Sequence, residues 1–179
     1  MMSEMKKKTY STNHEVMPWD HAALSGAIWT EMFNIDPSVY SPYFSLGACM
    51  EGLSRLFTHM LGISFQAEEP KMGEVWNKDV RKLAVVHETE GLLGYIYCDF
   101  FRRPDKPHQD CHFTICGGRF REVGVYQLPV VVLMLSLPLP KSKTPSLLTP
   151  FMEENLFHEM GHAMHSLLGR TWYQHVTGM

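Results

Sequence analysis

Residues 155–169 read NLFHEMGHAMHSLLG, and this stretch contains two histidines four positions apart, with a glutamate directly after the first. On a helix, side chains four positions apart project from one face, about 6 Å apart along the axis. The imidazoles of His158 and His162 can therefore converge on one Zn²⁺. Glu159 lies about 100° to the side, where its carboxylate can take a proton from water instead of binding the metal. The spacing predicts the zinc site of a hydrolase.

The residues around this motif indicate where its helix begins and ends. Thr149 is a suitable N-cap residue, and Pro150 suits the first helical position. Gly169 favours a helix end. These signals predict a helix over residues 150–169, with Met160 on the side opposite the histidines and packed inward.

Other side chains compete for the metal. His165 shares a face with His158, but it lies about 10.5 Å along the axis and cannot complete a tetrahedral site with both motif histidines. Glu154, four positions before His158, also shares this face and could approach a metal, although it is more simply explained as an acidic residue in the first turn of the helix. The motif could also be a core helix with incidental histidines.

A second candidate metal site lies in the string HQDCHFTIC at residues 108–116. Its four possible ligands are His108, Cys111, His112 and Cys116. If CHFTI forms a strand, the two cysteines point to opposite faces, which argues against one joint site. A small redox or structural metal module built on this string is therefore a weaker hypothesis.

Composition limits the classes of function. A chain of 179 residues can form one domain with a hydrophobic core, and 45% apolar residues is typical of soluble globular proteins. The net charge of −3 argues against nucleic acid or an anionic membrane as the main partner. The longest apolar run, about residues 128–139, is too short to span a bilayer.

The termini and cysteines add three expectations. The first sixteen residues lack the apolar segment of a signal peptide and the arginines of a transit peptide, so no presequence is expected. The basic run Lys6–Lys8 is expected to be a solvated terminus. Four irregularly spaced cysteines indicate reduced thiols and no disulfide framework.

Upstream of the motif, helical patterns come first and strand patterns follow. Apolar residues recur at helical spacing over residues 22–32 and, after Pro37, over residues 38–61, where Gly62 ends the pattern. Strands are predicted where Val, Ile, Tyr and Phe are enriched, at residues 63–66, 82–87, 92–101, 111–115 and 129–137. This order of elements predicts an α+β fold, with residues 130–135 buried in the sheet.

Together these segments resemble the thimet oligopeptidase family of zinc metallopeptidases. The likeness rests on the motif segment continued as RTWYQHVTG, on GLLGYIYCDFFRRPDKPHQDCHFTI, on LPVVVLMLSLPLP and on SLGACMEGLSRLFTHMLGISF. Order and spacing agree from about residue 1 to Gly178. The resemblance implies a fragment of a mostly helical zincin-type domain, with N-terminal helices, a small β-sheet and then the zinc-binding helix.

The resemblance also implies a site and an activity. His158 and His162 match the family's zinc ligands, Glu159 matches its catalytic base, and Zn²⁺ is the implied cofactor. The implied activity is that of a metalloendopeptidase, in particular one that removes N-terminal octapeptides from imported precursor proteins in the mitochondrial matrix. Peptides or precursor proteins are the implied partners, without nucleic acid and without membrane insertion. The family pairs extended substrate with a strand edge, for which CHFTICGG is the best match.

The third zinc ligand stays open. In the family it is a glutamate on a helix beyond HVTG, and no residue of this sequence is assigned to that role. We therefore expect residues 1–179 to be a partial catalytic domain, mainly helical over 1–62, β-rich over 63–140, and ending in the motif helix at 150–169. The alternative function is a catalytically incomplete chain that acts as a weak metal-binding or interaction module.

Overall fold

The structure, a computed structural model, describes residues 1–9, 15–33, 37–122 and 124–177. The chain forms two compact units, Met1–Tyr40 and Ser41–Met179. Part of the presequence prediction and the end of the resemblance, at Gly178, fall outside the described residues. Within these ranges, no helix combines the length and the apolar content that crossing a bilayer requires.

The first unit contains helices α1 (Met2–Thr9), α2 (His21–Phe33) and α3 (Pro37–Tyr40), with a 3₁₀ turn at Pro18–Asp20. Helix α2 buries Leu24 and Ile28. The prediction that Lys6–Lys8 forms a solvated terminus is wrong for Lys6. Its side chain is buried, and its ammonium group donates to the Asp20 carboxylate and to the carbonyl of Glu15. A buried lysine needs such partners because desolvation penalises its charge.

The prediction of one continuous helix over residues 38–61 is wrong. That segment is interrupted by a 3₁₀ turn at Ser41–Tyr43, and helix α4 spans only Leu46–Leu61. Pro42 lacks an amide hydrogen and restrains the residue before it, so one continuous helix is disfavoured. Ser45 instead caps α4 and accepts a hydrogen bond from the amide of Ala48 at 3.3 Å. Gly62 ends the helix in the left-handed region, at φ 66°, as its position predicted.

Five strands form a mixed sheet, and their bounds are Ile63–Glu68 (β1), Arg81–His87 (β2), Gly91–Phe101 (β3), Cys111–Cys116 (β4) and Val130–Leu137 (β7). Their order in the sheet is β1-β2-β3-β7-β4. All pairs are antiparallel except β3 with β7, which is parallel. A two-stranded ribbon of β5 (Arg119–Phe120) and β6 (Tyr126–Gln127) was not predicted. The predicted α+β class is confirmed.

Helix α5 (Pro150–Leu168) agrees with the predicted motif helix. The Thr149 hydroxyl caps it by accepting from the amide of Met152 at 3.3 Å. The apolar side chains that α5 buries fully or almost fully are Leu156, Met160, Ala163, Met164 and Leu167. These residues share one core cluster with α4 and with β3 side chains such as Ile96 and Cys98. Successive side chains of a strand point to opposite faces, and Tyr97, which lies between Ile96 and Cys98, belongs to a separate cluster. Both helices therefore cover the face of the sheet that carries Ile96 and Cys98.

Strand β7 pairs with β3 on one side and with β4 on the other. Val131, Val132, Leu133 and Leu135 are buried, as predicted, whereas Val130 and Met134 are partly exposed. Consecutive buried residues indicate that β7 is covered on both faces. Strand β4 flanks β7 as the last strand of the sheet, and α5 contacts both strands, so the motif helix lies beside a sheet edge.

Candidate metal centre

The helix brings the two motif histidines together, as their spacing predicted. The Nε2 atoms of His158 and His162 are 3.1 Å apart, and the two rings stand nearly perpendicular, at 80°. His158 is exposed and His162 is partly buried. Burial of Met160 on the opposite side of α5 fixes this orientation, because the histidine face must then point away from the core.

The separation of the two nitrogens fits a shared metal. Two nitrogen ligands at 2.0–2.1 Å in tetrahedral geometry would lie about 3.3 Å apart. His158 and His162 would hold Zn²⁺ in this way through their Nε2 atoms. Among the described residues, no cluster of three or more His, Cys, Asp or Glu side chains could hold a metal. Glu154 and His165 have exposed side chains on the same helix.

Glu159 lies beside the histidine pair, and its carboxylate faces strand β4. Its Oε2 atom is 3.9 Å from Nδ1 of His112, and only 14% of the Glu159 side chain is exposed. A carboxylate that is partly shielded from solvent, next to two converging imidazoles, can act as a general base. The structure therefore places the three predicted site residues together.

His112, which the sequence suggested only as a ligand in the string at residues 108–116, is a neighbour of the motif. Its ring stacks on the ring of His162, with centroids 5.1 Å apart and an interplanar angle of 11°. Its side chain is 9% exposed, and its Nε2 atom is buried without a hydrogen-bond partner in the described part of the chain. Burial, and then the proximity of His162, lower the pKa of His112, while Glu159 acts in the opposite direction.

The alternative site in the string at residues 108–116 is not assembled. His108 is exposed, Cys111 and Cys116 lie at opposite ends of β4, and the strand register shifts between Thr114 and Cys116. All four cysteines are unpaired thiols. His112 contacts the motif helix instead, through packing between β4 and α5 that no local sequence signal indicates.

Asp110 holds the start of β4 against the motif helix. One carboxylate oxygen accepts from the side-chain amide of Asn155 on α5 at 2.9 Å, and the other accepts from the backbone amide of Ser136 at 2.7 Å. Asp110 precedes His112 by two residues, so this double contact fixes the position from which His112 reaches the motif.

Comparison with known proteins shows the family of the chain. Residues 1–179 match the model of peptidase family M3. Mitochondrial intermediate peptidase of Homo sapiens is 69% identical over 178 residues, which cover 99% of this chain and 25% of that protein. Mitochondrial intermediate peptidase of Mus musculus is 66% identical over the same shares of the two chains.

A more distant relative gives the same picture. Mitochondrial intermediate peptidase 2 of Cryptococcus neoformans is 38% identical over 192 aligned residues, covering 89% of this chain and 23% of that protein. The chain thus spans about a quarter of the length of the curated relatives it matches. The resemblance predicted from the motif and the segments upstream of it is confirmed, and the chain belongs to peptidase family M3.

Proposed function

We propose that this chain is part of the catalytic domain of a mitochondrial zinc endopeptidase and carries two of its metal ligands and its general base. The observation that carries the proposal is the convergence of the His158 and His162 Nε2 atoms at 3.1 Å. The relatives named above are mitochondrial intermediate peptidases, and their names support a mitochondrial peptidase. Residues 1–179 would then belong to one catalytic domain.

Each motif residue has a separate task in this proposal. The two imidazoles bind in their neutral form through Nε2 and fix the orientation of the site. When bound, zinc supplies Lewis-acid chemistry that polarises a peptide carbonyl and acidifies water. The Glu159 carboxylate accepts a proton from the attacking water on one oxygen and delivers it to the departing amine.

The substrate in this proposal is an extended peptide bound along β4. This strand is the last one of the sheet, and its Phe113 and Ile115 side chains are exposed. An edge strand presents backbone N–H and C=O groups that an extended peptide can pair with, while neighbouring side chains give specificity. For the chain as part of the whole enzyme, we propose precursor proteins as substrates and removal of an N-terminal octapeptide as the reaction.

Replacing His162 by alanine is expected to weaken Zn²⁺ binding by about tenfold or more, because one of the two converging ligands is lost. Glu159→Gln is expected to leave the affinity within about threefold, because the base is not a ligand in this assignment. The measurement is a Zn²⁺ titration of the purified chain by calorimetry or by competition with a chromophoric chelator.

His165→Ala is the matched control for this titration. It removes an exposed histidine from the same helix, outside the converging pair. Equal weakening by His165→Ala and His162→Ala would contradict the assignment, because it would indicate scattered surface binding. Weak Zn²⁺ binding by the wild-type chain that neither His162→Ala nor His165→Ala changes would also contradict the assignment.

A second candidate function is a metal-binding chain that does not hydrolyse peptides by itself. It is favoured by the finding that only two ligand side chains converge among the described residues. A hydrolytic zinc site uses three protein ligands and one open position.

We therefore expect residues 1–179 alone, at saturating Zn²⁺, to cleave a quenched peptide no faster than their Glu159→Gln variant. A purified-chain assay with that variant as the blank makes the measurement. Turnover clearly above the blank would show that another residue completes the site, with Glu154 as the first suspect.

A further inference from the structure

His112 lies between two side chains of the metal motif, although it belongs to a different element. Its flat face covers the ring of His162, and its Nδ1 edge faces Oε2 of Glu159 at 3.9 Å. Nothing in the proposed chemistry requires a third imidazole at this place. A buried histidine with an unpartnered Nε2 atom is also unusual, since buried polar groups are almost always hydrogen-bonded.

The geometry does not suit His112 as a metal ligand. The rings of His112 and His162 are nearly parallel at 11°, with centroids 5.1 Å apart. Nitrogen lone pairs lie in the plane of each ring, so stacked rings direct them along parallel planes and not toward one point. His158 and His162, at 80°, show the converging arrangement. His112 therefore contacts the site by its face and by one edge.

The carboxylate of Glu159 selects one tautomer of this histidine. A neutral imidazole carries one N–H and one bare nitrogen. An ionised carboxylate only accepts hydrogen bonds, so a bare Nδ1 facing it would be repelled, whereas an Nδ1–H is attracted. The unpartnered Nε2 atom on the opposite edge of the ring favours the same tautomer. A buried N–H without an acceptor costs more free energy than a bare nitrogen without a donor.

We propose that His112 is a positioning residue for Glu159, with its Nδ1–H directed at Oε2 of the carboxylate so that Oε1 remains available for proton exchange. The inference rests on the proposed role of Glu159 as general base. The Asp110 contacts to Asn155 and Ser136 hold the start of β4 against α5 and β7, and in this arrangement Nδ1 of His112 lies 3.9 Å from Oε2 of Glu159. By stacking on His162, the same ring also fixes the plane of one metal ligand.

The tautomer is tested by ¹⁵N NMR of the imidazole nitrogens in metal-free protein at about pH 8, where histidines are neutral. We expect the Nδ1 resonance of His112 in the protonated range and its Nε2 resonance in the bare range, the reverse of the usual preference of a free histidine side chain. In Glu159→Gln the two resonances should move toward each other. Glu154→Gln, an exposed glutamate on the same helix, should leave them unchanged.

Positioning itself is tested by the side-chain couplings of Glu159 in selectively labelled protein. The wild-type chain should show a single rotamer. His112→Phe, which keeps a flat ring but has no N–H, should give averaged couplings, while His112→Asn, which restores a donor, should recover part of the wild-type pattern. A single Glu159 rotamer in His112→Phe would overturn the proposal, as would an Nε2-protonated His112 in the wild-type chain.

These measurements are independent of metal binding. If the chain binds no Zn²⁺ at its histidine pair but the tautomer and rotamer results are as expected, the proposed function fails and the His112 contact stands. If Zn²⁺ binds as proposed but Glu159 keeps its rotamer without the imidazole, only the positioning role fails.

Discussion

Replacing Asp99 by alanine is expected to destabilise the second unit by roughly 3–5 kcal/mol, because it removes one partner from a buried group of charges. The Asp99 carboxylate accepts two hydrogen bonds from the Arg103 guanidinium, at 2.6 and 2.7 Å. It also accepts from Trp76 Nε1 at 2.8 Å and from Lys106 Nζ at 3.0 Å. Asp99 and Lys106 are both buried.

The cost arises mainly from the lysine that would remain. Lys106 Nζ also donates to the carbonyls of Asp99 and Leu135, each at 2.6 Å, and to that of Phe101 at 3.1 Å. The ammonium group thereby ties the end of β3 to β7, the strand beside the metal motif. Without the carboxylate, its charge would stay buried with only neutral acceptors.

The loss can be measured by denaturant unfolding of the purified variant at neutral pH. Asp105→Ala is the control, because Asp105 is an exposed acid in the same loop, and this variant should change the free energy of unfolding by less than about 0.5 kcal/mol. A change in Asp99→Ala as small as that of the control would contradict the assignment of a stabilising buried network.

Because of the same carboxylate, the free energy of unfolding is expected to decrease at acid pH. Burial opposes its charged form, but hydrogen bonds from Arg103, Trp76 and Lys106 outweigh burial and lower the pKa of Asp99 to about 2 from the usual 3.8. The unfolded chain therefore binds the proton first as pH falls. This contribution, about 2 kcal/mol, should be complete above about pH 4 and lost as pH falls toward 2. Asp99→Ala should lack this part of the curve.

Replacing Leu156 by alanine is expected to lower the free energy of unfolding by roughly 2–5 kcal/mol. The Leu156 side chain is fully buried between α5 and the sheet, two positions before His158. Its truncation leaves a cavity directly beneath the motif helix, and neighbouring side chains of a well-packed core close such a space only in part. The helix that carries the histidines should be the element most affected.

Leu168→Ala provides the matched comparison for this substitution, since it makes the same chemical change on the same helix at a side chain that is 37% exposed. It should cost less than about 1 kcal/mol. Thermal or urea unfolding of both variants gives the difference. Equal losses would show that α5 does not bury Leu156 against the sheet as described.

The motif helix could be predicted from sequence because its signals are local. Thr149 and Pro150 define its start, and the spacing of His158 and His162 defines their common face without reference to the rest of the chain. The strands were predictable for a similar reason, since runs of β-branched and aromatic residues between turn residues depend little on tertiary contacts. The metalloendopeptidase activity, in contrast, was predicted from the resemblance to a known family.

The rest depends on contacts between distant segments. The sequence around Lys6 predicts a solvated cation, because Asp20 and the carbonyl of Glu15 come beside it only in the folded chain. The sequence suggests His112 only as one of several possible ligands in a cysteine–histidine string. The packing of β4 against α5 places it next to Glu159. The break before Leu46 is consistent with Pro42, although the apolar spacing of residues 38–61 by itself predicts one continuous helix.

X-ray absorption at the zinc edge of the zinc-loaded chain shows whether His158 and His162 hold the metal together. This assignment of the two ligands predicts two imidazole nitrogens at about 2.0–2.1 Å, with oxygen donors in the remaining positions. His162→Ala should reduce the imidazole count to one. A shell of sulfur at about 2.3 Å, from Cys111 or Cys116, or a zinc ion without imidazole scattering, would contradict it.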